Sequence, residues 1–391
     1  MVHCPPMLTS ENNLRYAISD LFSEPAEKRP ALAPTRQLLS RKRKFNLTFS
    51  SPHDEPRATS KHNNFKILPD EVLLKIFGYL SRKDLRACML VSRRFKRVAC
   101  DSELWHSVGY NRGKFAEKAL LLEVMRGTKM LCSACASSRF HLTKPVQLPR
   151  LQLQFVDLTN AVVSHYLLTG LLQACDQLKG LSLENQALSD EVCEAIGRNK
   201  NLVTLNLCMV SGLTLEGVNH ILKGCRRLNS FNVAWSTMEK ESLAQLVGAL
   251  PVTLKELNIA GYTDYLQDNH VAKLCDSSPD LELLCISDNR TLSPKTVITI
   301  SEKLHNLRHL DLSRCHQLFW PEFVFPLKKL TKFEHLSCYG FPEERYVEEI
   351  RAIFPKFKVN EAHFRNLSSI ARPQPSYGAD IKSLWGVPMR C

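Results

Sequence analysis

The sequence LKGLSL at residues 178–183 returns as LVTLNL at residues 202–207 and as LNSFNV at residues 228–233. Four further copies of this L-x-x-L-x-L pattern follow, and they begin at Leu254, Leu281, Leu307 and Phe333. The seven first positions are 178, 202, 228, 254, 281, 307 and 333, so the successive steps are 24, 26, 26, 27, 26 and 26 residues. Weaker copies flank them, beginning at Leu153 and at Phe354. A period of about 20–29 residues with this leucine spacing is typical of leucine-rich repeats.

Each repeat supplies one short parallel strand and, after a turn, a helix such as Glu191–Ile196 or Glu216–Leu222. A single repeat cannot bury its own apolar face, whereas stacked neighbours bury it together. The pattern therefore predicts an α/β horseshoe of parallel strands and helices over residues 151–360. We interpret residues 112–150 as a linker between this array and an N-terminal module.

The composition of the 391 residues is that of a globular protein, with 44% hydrophobic and 23% charged residues. No run of about 18 apolar residues occurs, so we expect no membrane span, and no secretory signal is recognisable at the N-terminus. The net charge of +13 permits nucleic-acid binding without requiring it. Several of the 14 cysteines, such as Cys285, Cys315 and Cys338, occupy apolar repeat positions, which favours buried free thiols over disulfides. This cysteine usage predicts a reducing compartment, the nucleus and the cytoplasm.

Residues 1–64 are rich in Pro, Ser, Glu and Lys and have no persistent periodicity, which predicts disorder. Four consecutive cations lie within this segment: Arg41, Lys42, Arg43 and Lys44. They are interpreted as a nuclear-import signal or a patch for an anionic partner, and the alternative is a solvated charge run. Residues 36–39 match a cyclin-docking pattern, although four-residue matches of this kind are frequent by chance.

Residues 65–111 predict a module of three short helices. Pro69 and the acidic residues after it favour a helix start, and an apolar stripe at helical spacing follows between Leu73 and Leu80. A second helix begins near Leu85, and a third ends near Asp101. So small a core is marginal alone, so we expect the module to pack on the repeats, on a partner or on both.

The module contains LPDE at residues 68–71, LLKIFGYL at 73–80, VSRRF at 91–95 and DSELW at 101–105, an ordered set that resembles an F-box. The resemblance implies docking of an elongated adaptor that joins the chain to a cullin scaffold. The residues that match the adaptor-binding positions are Leu68, Pro69, Leu73, Ile76, Phe77, Leu80, Leu85 and Val91. An ordinary three-helix cap on a solenoid would explain the same apolar stripe.

Strand side chains alternate between faces, so residues between the leucines are expected on the concave face of the horseshoe. One such row is polar: Asn206, Asn232, Asn258, Cys285, Asp311 and Ser337. Farther along the repeat, two residues after its last apolar position, stand Trp235, Asp288 and Arg314. An exposed indole such as that of Trp235 is a usual interface anchor. Asp288 and Arg314 either pair with each other or meet complementary charges on a partner.

The module, the repeats, the sequence GYTDYLQ at residues 261–267 and SRC at residues 313–315 together resemble the family of S-phase kinase-associated protein two. The resemblance covers about residues 65–386. Members of this family are substrate receptors of SCF ubiquitin ligases, in which a C-terminal tail, here residues 361–391, folds over the concave face. The resemblance therefore implies that the chain promotes ubiquitin-dependent degradation of cell-cycle regulators, such as inhibitors of cyclin-dependent kinases.

In that family a small Cks-type accessory protein binds the later repeats and helps to present a phosphorylated substrate, and a cyclin with its kinase is a further partner. The positions of this chain that match accessory and substrate contacts are Trp235, Asp288 and Arg314. Thr263 is a departure, because the family has an arginine at this place. Loss of that cation weakens the case for an identical accessory contact.

The sequence shows no catalytic constellation, so we expect a non-catalytic protein without a cofactor or a metal. Cys132 and Cys135 have the spacing of zinc ligands, but no second pair follows and buried or loop thiols are favoured. His309 and His335 sit singly on their strands, which favours structural or contact roles. A non-ligase scaffold or inhibitor is the alternative function. Nucleic-acid binding ranks last, because the cations are not organised with aromatic residues along one inner row.

Overall fold

A computed structural model of the protein describes residue 65 and residues 67–110, 112–318, 323–340 and 344–361. The predicted import signal at residues 41–44 lies outside these residues. The predicted tail over the concave face, apart from its first residue, lies outside them as well.

The N-terminal module contains the three predicted helices, which are α1 (Asp70–Phe77), α2 (Arg82–Val91) and α3 (Arg93–Ala99), and a 3-10 turn at Ser102–Trp105. Two of the helices begin at serine side chains. Ser81 accepts a hydrogen bond from the backbone N–H of Asp84, and Ser92 accepts one from that of Phe95. Serine caps of this kind satisfy backbone donors that have no partner within the helix.

The described residues contain thirteen strands: β1 (Ser107–Gly109), β2 (Lys114–Ala116), β3 (Met130–Cys132), β4 (Ser137–Phe140), β5 (Phe155–Asp157), β6 (Gly180–Ser182), β7 (Thr204–Asn206), β8 (Ser230–Asn232), β9 (Glu256–Asn258), β10 (Leu283–Cys285), β11 (His309–Asp311), β12 (His335–Ser337) and β13 (Lys358–Val359). Strands β2 and β4 form a small separate pair. The other eleven form one parallel sheet in chain order, which confirms the predicted repeat fold.

Helices follow most strands on the outer side of the array, and the chain order after each strand is the one that the repeat predicts. These helices are α4 (Glu117–Val124), α5 (His165–Gln173), α6 (Asp190–Gly197), α7 (Leu215–Gly224), α8 (Lys240–Gly248), α9 (Asp268–Ser277), α10 (Pro294–Lys303) and α11 (Glu344–Ile353), with a 3-10 helix at Phe325–Lys329. None of the described helices has both the length and the apolar character that crossing a bilayer requires.

The sheet begins earlier than the sequence pattern indicates, because β1 and β3 precede residue 151. The first strand belongs to a repeat whose apolar positions are Trp105, Val108 and Tyr110. In the next repeat Thr128 and Ser133 are fully buried at the positions where later repeats have leucine. These polar and aromatic substitutions hide the period, so residues 112–150 contribute a strand and a helix to the array rather than a plain linker.

The module and the array share one apolar core, which runs from Leu73 in α1 to Val359 in β13. Trp105 joins them, because it closes the F-box-like pattern and also opens the first repeat. Its indole N–H donates to the carbonyl of Ala99 at 2.7 Å, and the guanidinium of Arg126 lies 4.3 Å from its ring centre.

A buried carboxylate forms a second connection between the module and the array. Glu123 on α4 is 3% exposed, and it accepts hydrogen bonds from Arg86 Nε of α2 at 2.8 Å and from Tyr110 Oη at 2.9 Å. Arg82 Nη1 lies 3.4 Å from the same carboxylate. Burial raises the pKa of Tyr110 to about 12, so its phenol stays protonated and donates. Removing one partner of a buried ion pair costs about 3–5 kcal/mol, so this cluster fixes α2 against the first repeats.

The twelve described cysteines are free thiols, and burial raises the pKa of Cys175 and Cys225 to about 12. Cys132 is buried and its thiol donates to Asp157 Oδ2 at 3.5 Å, whereas Cys135 is exposed. The two cysteines with zinc-ligand spacing therefore lie in different surroundings.

Close packing of neighbouring helices predicts an asymmetry between two glycines. A Cβ at Gly224 of α7 would lie 1.8 Å from the carbonyl oxygen of Gly197 in α6, which is backbone that cannot move cheaply. We expect Gly224→Ala to lower the free energy of unfolding by about 1–3 kcal/mol, measured from the urea midpoint. Gly248→Ala is the matched control, because no atom lies within 4 Å of its Cβ, and helix propensity favours alanine by about 0.5–1 kcal/mol. Equal midpoint shifts in the two variants would show that this packing is not as close as described.

Candidate protein-interaction surfaces

The helical module exposes large apolar side chains to solvent. Tyr79 is 93% exposed, Leu90 is 89% exposed and Val91 is 67% exposed. The full set is Phe65, Ile67, Val72, Ile76, Tyr79, Leu90 and Val91. Single exposed apolar residues are ordinary, but a concentration of them on so small a unit marks an interaction surface. We call this set the module surface.

The eight residues predicted to bind an adaptor separate into two groups. Pro69, Ile76 and Val91 are exposed, and Leu68 and Leu80 are partly buried. Three others are in the core: Leu73, Phe77 and Leu85. These three support the module surface from below and do not form it, because the two short helices α1 and α2 need them to build any core at all.

Sequence reasoning missed Val72, Tyr79 and Leu90, which the structure exposes. Val72 lies four residues before Ile76 and Tyr79 three residues after it, which is helical spacing along one side of α1 and the turn after it. This second apolar stripe, next to the buried one, is the signal that would have found them.

An ion-pair cluster holds the start of α1 against α3. The carboxylate of Asp70 accepts hydrogen bonds from Arg94 Nε at 2.8 Å and from Arg97 Nη2 at 2.5 Å. Arg94 Nη1 also donates to the carbonyl of Phe65 at 3.0 Å. The hydrogen bond from Arg94 is the main cause that lowers the pKa of Asp70. The cluster keeps the short helices of the module in register below its exposed apolar residues.

On the array, every repeat from the first to the tenth strand of the sheet turns through one residue with a positive φ, between 50° and 86°. This residue lies two positions beyond the last apolar position of the repeat. We call the set the turn row: Arg112, Cys135, Asn160, Asn185, Met209, Trp235, Gly261, Asp288, Arg314 and Gly340. The N–H groups of the first nine donate to carbonyls of the next repeat, as Trp235 does to Ala260 at 2.9 Å and Arg314 does to Tyr339 at 2.8 Å.

Trp235 is 48% exposed, as the sequence predicts for an interface residue, and its neighbour in the turn row, Met209, is 53% exposed. The indole lies on Gly261 of the next repeat, where a Cβ would be 2.4 Å from its Cδ2 atom. The glycine therefore provides both the backbone conformation and the space that the indole needs. Met209 occupies the same repeat position as Trp235, but the sequence analysis gave a binding role to Trp235 and not to Met209.

Asp288 and Arg314 pair with each other, which is one of the two alternatives that the sequence leaves open, and contact with charges of a partner stays a prediction. Nε and Nη2 of Arg314 donate to the two carboxylate oxygens of Asp288, and this pairing is the main cause that raises the pKa of Arg314. Arg314 also lies on a glycine, because a Cβ at Gly340 would be 2.8 Å from its Cγ atom. A bidentate pair presents a guanidinium of fixed orientation.

The predicted polar row on the concave face forms in register, but its six residues are buried. The side-chain oxygens of four of them accept the backbone N–H two residues later at 2.9–3.1 Å: Asn206, Asn232, Asn258 and Asp311. Burial raises the pKa of Asp311. The Asn and Asp side chains of this row therefore serve the turn after each strand.

Two family models match the chain. The model described as SKP2 LRR domain matches residues 120–391, and the model described as F-box-like matches residues 65–110. Residues 111–119 separate the two matches, and they lie within the first repeats of the sheet.

The chain is also similar to individual proteins. It is 37% identical to lysine-specific demethylase 2B of Mus musculus over 60 residues, a match that covers 15% of this chain and 5% of the demethylase. Among solved structures, it is similar to a chain of the Rad7 and Elc1 complex in yeast, with a TM-score of 0.41, 15% identity and coverage of 76% of this chain and 82% of that chain. Internalin C2 of Listeria monocytogenes gives a TM-score of 0.32 and 19% identity, over 46% of this chain and 69% of that chain.

Gly261→Ala tests whether the turn row holds the indole of Trp235. The added Cβ would enter the indole ring, and a φ of +86° costs alanine about 1–2 kcal/mol, so we expect the indole to be displaced. Fluorine NMR of fluorotryptophan-labelled protein measures this displacement, with the Trp235 resonance assigned by Trp235→Phe. We expect a shift of that resonance in Gly261→Ala and none in Gly248→Ala. An unmoved Trp235 resonance in Gly261→Ala would contradict the described contact.

Proposed function

Because this chain belongs to the SKP2 leucine-rich-repeat family and has an F-box-like domain ahead of its repeats, we propose that it is the substrate-recognition subunit of an SCF ubiquitin ligase. Such a subunit docks a Skp1-type adaptor and a cullin through the module and holds a protein on the repeats. F-box and leucine-rich-repeat proteins of this kind are typically non-catalytic adaptors. The observation that carries the proposal is the exposed apolar surface of a module that is otherwise fixed to the array.

The module surface supports adaptor docking over a purely structural cap. A cap at the end of a repeat array buries its apolar residues against the first repeat and has a polar outer face. Here Leu73, Phe77 and Leu85 serve the core, and Tyr79 and Leu90 are left almost fully exposed. Full burial of a leucine or valine side chain gains about 1.5–3 kcal/mol, so a partner that covers these residues would bind with substantial affinity.

We assign the turn row from Met209 to Arg314 to contacts with the bound protein and its accessory subunit. It combines an exposed thioether, an exposed indole and an oriented guanidinium, the side chains that are enriched at the energetic centres of interfaces. A Cks-type accessory protein and phosphorylated cell-cycle regulators, including inhibitors of cyclin-dependent kinases, are the partners that the family resemblance implies. Thr263 follows Gly261 of this row by two residues and lacks the family's cation, which weakens the case for an identical accessory contact.

The proposed mechanism is positional. Ubiquitin transfer takes place on other subunits, and this chain raises the effective concentration of the bound protein near the transferring enzyme. The buried Glu123 cluster and the shared Trp105 support this role, because they fix the module relative to the repeats. We also propose that the chain acts in the nucleus and the cytoplasm, with import through the cations at residues 41–44.

Adaptor binding tests the module surface without disturbing the core. We expect the double variant Leu90→Gln with Val91→Thr to weaken binding of a purified Skp1-type adaptor by at least about thirtyfold, the loss that truncating a central anchor of more than 2 kcal/mol produces. Its melting temperature should stay unchanged, because both side chains are exposed and glutamine is a good helix former. Titration calorimetry measures the affinity.

The matched control is Val252→Thr, which changes an exposed valine on the array. It should bind the adaptor with wild-type affinity. If Leu90→Gln with Val91→Thr also retained that affinity, the adaptor would not use this surface and the non-ligase scaffold would become the better reading.

Capture of target proteins tests the turn row. We expect Trp235→Ala with Met209→Ala to lose at least about tenfold of the proteins that co-purify with the repeats, while adaptor and cullin recovery is unchanged. Affinity purification under cullin inhibition with quantitative mass spectrometry measures both quantities in one sample. Ile298→Ala, which truncates a partly exposed side chain on α10, is the control. Equal capture by wild type and double variant would place the binding surface elsewhere on the array.

A further inference from the structure

Two histidines that the sequence places singly on their strands come together on the sheet. His309 opens β11 and His335 opens β12, and they are direct partners in the parallel register of the two strands. Their rings stack with centroids 4.3 Å apart and an interplanar angle of 8°. The neighbouring residue Glu334 completes a group in which one potential ligand atom of each residue lies within 4.8 Å of the others.

The histidine pair lies on the face of the sheet opposite the apolar core. Leu310 and Leu336, the next residues of the two strands, are buried in that core, so strand alternation directs His309 and His335 to the other face. Both histidines are half-buried and Glu334 is exposed, so the group is open to solvent on one side. A small ion can reach it.

One ring nitrogen of the pair lacks a hydrogen bond. Nδ1 of His335 is buried and has no hydrogen-bond partner among the described residues. A buried nitrogen without a partner costs about 1–3 kcal/mol, and rotation of the ring toward a bound ion would recover part of that cost.

From this geometry we infer that His309, His335 and Glu334 bind a divalent transition-metal ion of the zinc class. Imidazole nitrogen suits Zn²⁺, Ni²⁺ and Cu²⁺, and a carboxylate oxygen is a common third ligand of zinc. Two nitrogens at about 2.0–2.1 Å from one tetrahedral ion lie about 3.3 Å apart, so the stacked rings tilt toward each other when the ion binds. The fourth position is open to water or to a ligand from a bound protein.

The charges around the pair are balanced. Glu334 and Glu361 favour a cation, and Arg308 and Lys358 oppose one. Arg308 Nη1 also holds Glu334 Oε1 at 3.3 Å, a long contact that the carboxylate exchanges for the metal. We therefore expect moderate affinity for the metal.

Titration of the full chain with Zn²⁺ by calorimetry and with Co²⁺ by absorption spectroscopy tests the assignment, which does not depend on the ligase role. We expect one equivalent of either ion to bind and the Co²⁺ complex to show the visible bands of a low-coordinate nitrogen and oxygen site. His309→Asn and His335→Asn should each weaken binding by at least about tenfold. Glu334→Gln should weaken it less, since its carboxylate is exposed and shared with Arg308.

His316→Asn is the control, because His316 is an exposed histidine outside the group. Circular dichroism melts establish that each variant is folded, and Glu334→Gln keeps the test valid if a histidine variant unfolds. Affinity that is the same in wild type and in all cluster variants would overturn the assignment. A sulfur-to-cobalt charge-transfer band would also overturn it, because that band places the ion on cysteines.

Discussion

The array depends on burial of one apolar side chain at the centre of each three-residue strand. Leu205, Phe231 and Leu257 are neighbours in this stack, and each is almost fully buried between the strands on its two sides. A strand of three residues has no stability alone, so each repeat exists only because its neighbours complete it. The chain must then leave every strand through a sharp turn, and a residue of positive φ donates its N–H to the next repeat at that turn. Stacking and the turn row are therefore consequences of one constraint.

The same constraint explains which residues the turn row contains. Asn, Asp and Gly tolerate a positive φ, and five members of the turn row are of these types: Asn160, Asn185, Gly261, Asp288 and Gly340. The remaining five do not favour this conformation, so the array carries a cost of about 1–2 kcal/mol at each of them: Arg112, Cys135, Met209, Trp235 and Arg314. Large residues in such a conformation persist where the surrounding structure holds them, and they concentrate at functional sites. Three of these five, Met209, Trp235 and Arg314, are the residues that the proposed binding role uses.

The sequence predicted the strand positions that follow from the repeat period, and it missed repeats whose buried residues are not leucines. Seven copies of the leucine pattern placed the strands from β6 to β12 at their observed positions, because burial of a central leucine leaves a mark at fixed spacing. Thr128 and Ser133 are fully buried at leucine positions, but they do not match the leucine pattern. The sequence analysis therefore placed the start of the array at residue 151, after its first two strands.

Side-chain exposure was the less predictable quantity. The sequence placed the Asn and Asp residues between the leucines on the concave face, but it did not show that the turns after the strands use their oxygens. The residues predicted to bind an adaptor include both buried and exposed side chains of the helical module. Only the packing of the helices shows which of them are buried. The pairing of Asp288 with Arg314 required coordinates because register alone permits it without deciding it.

The first repeat sets the distance between the two interaction surfaces. Trp105 ends the module and opens the repeat of β1, and Trp235 follows β8, which is five strand steps away in the sheet. At about 4.8 Å for each step, the indole stands about 24 Å along the sheet from the module. A flexible linker would give a broad distribution of distances, and effective concentration falls when the distance is poorly matched to the span. Because Trp105 and the buried Glu123 leave no such linker, the proposed function would hold a bound protein at one distance from an adaptor, which is the property that a non-catalytic receptor has to supply.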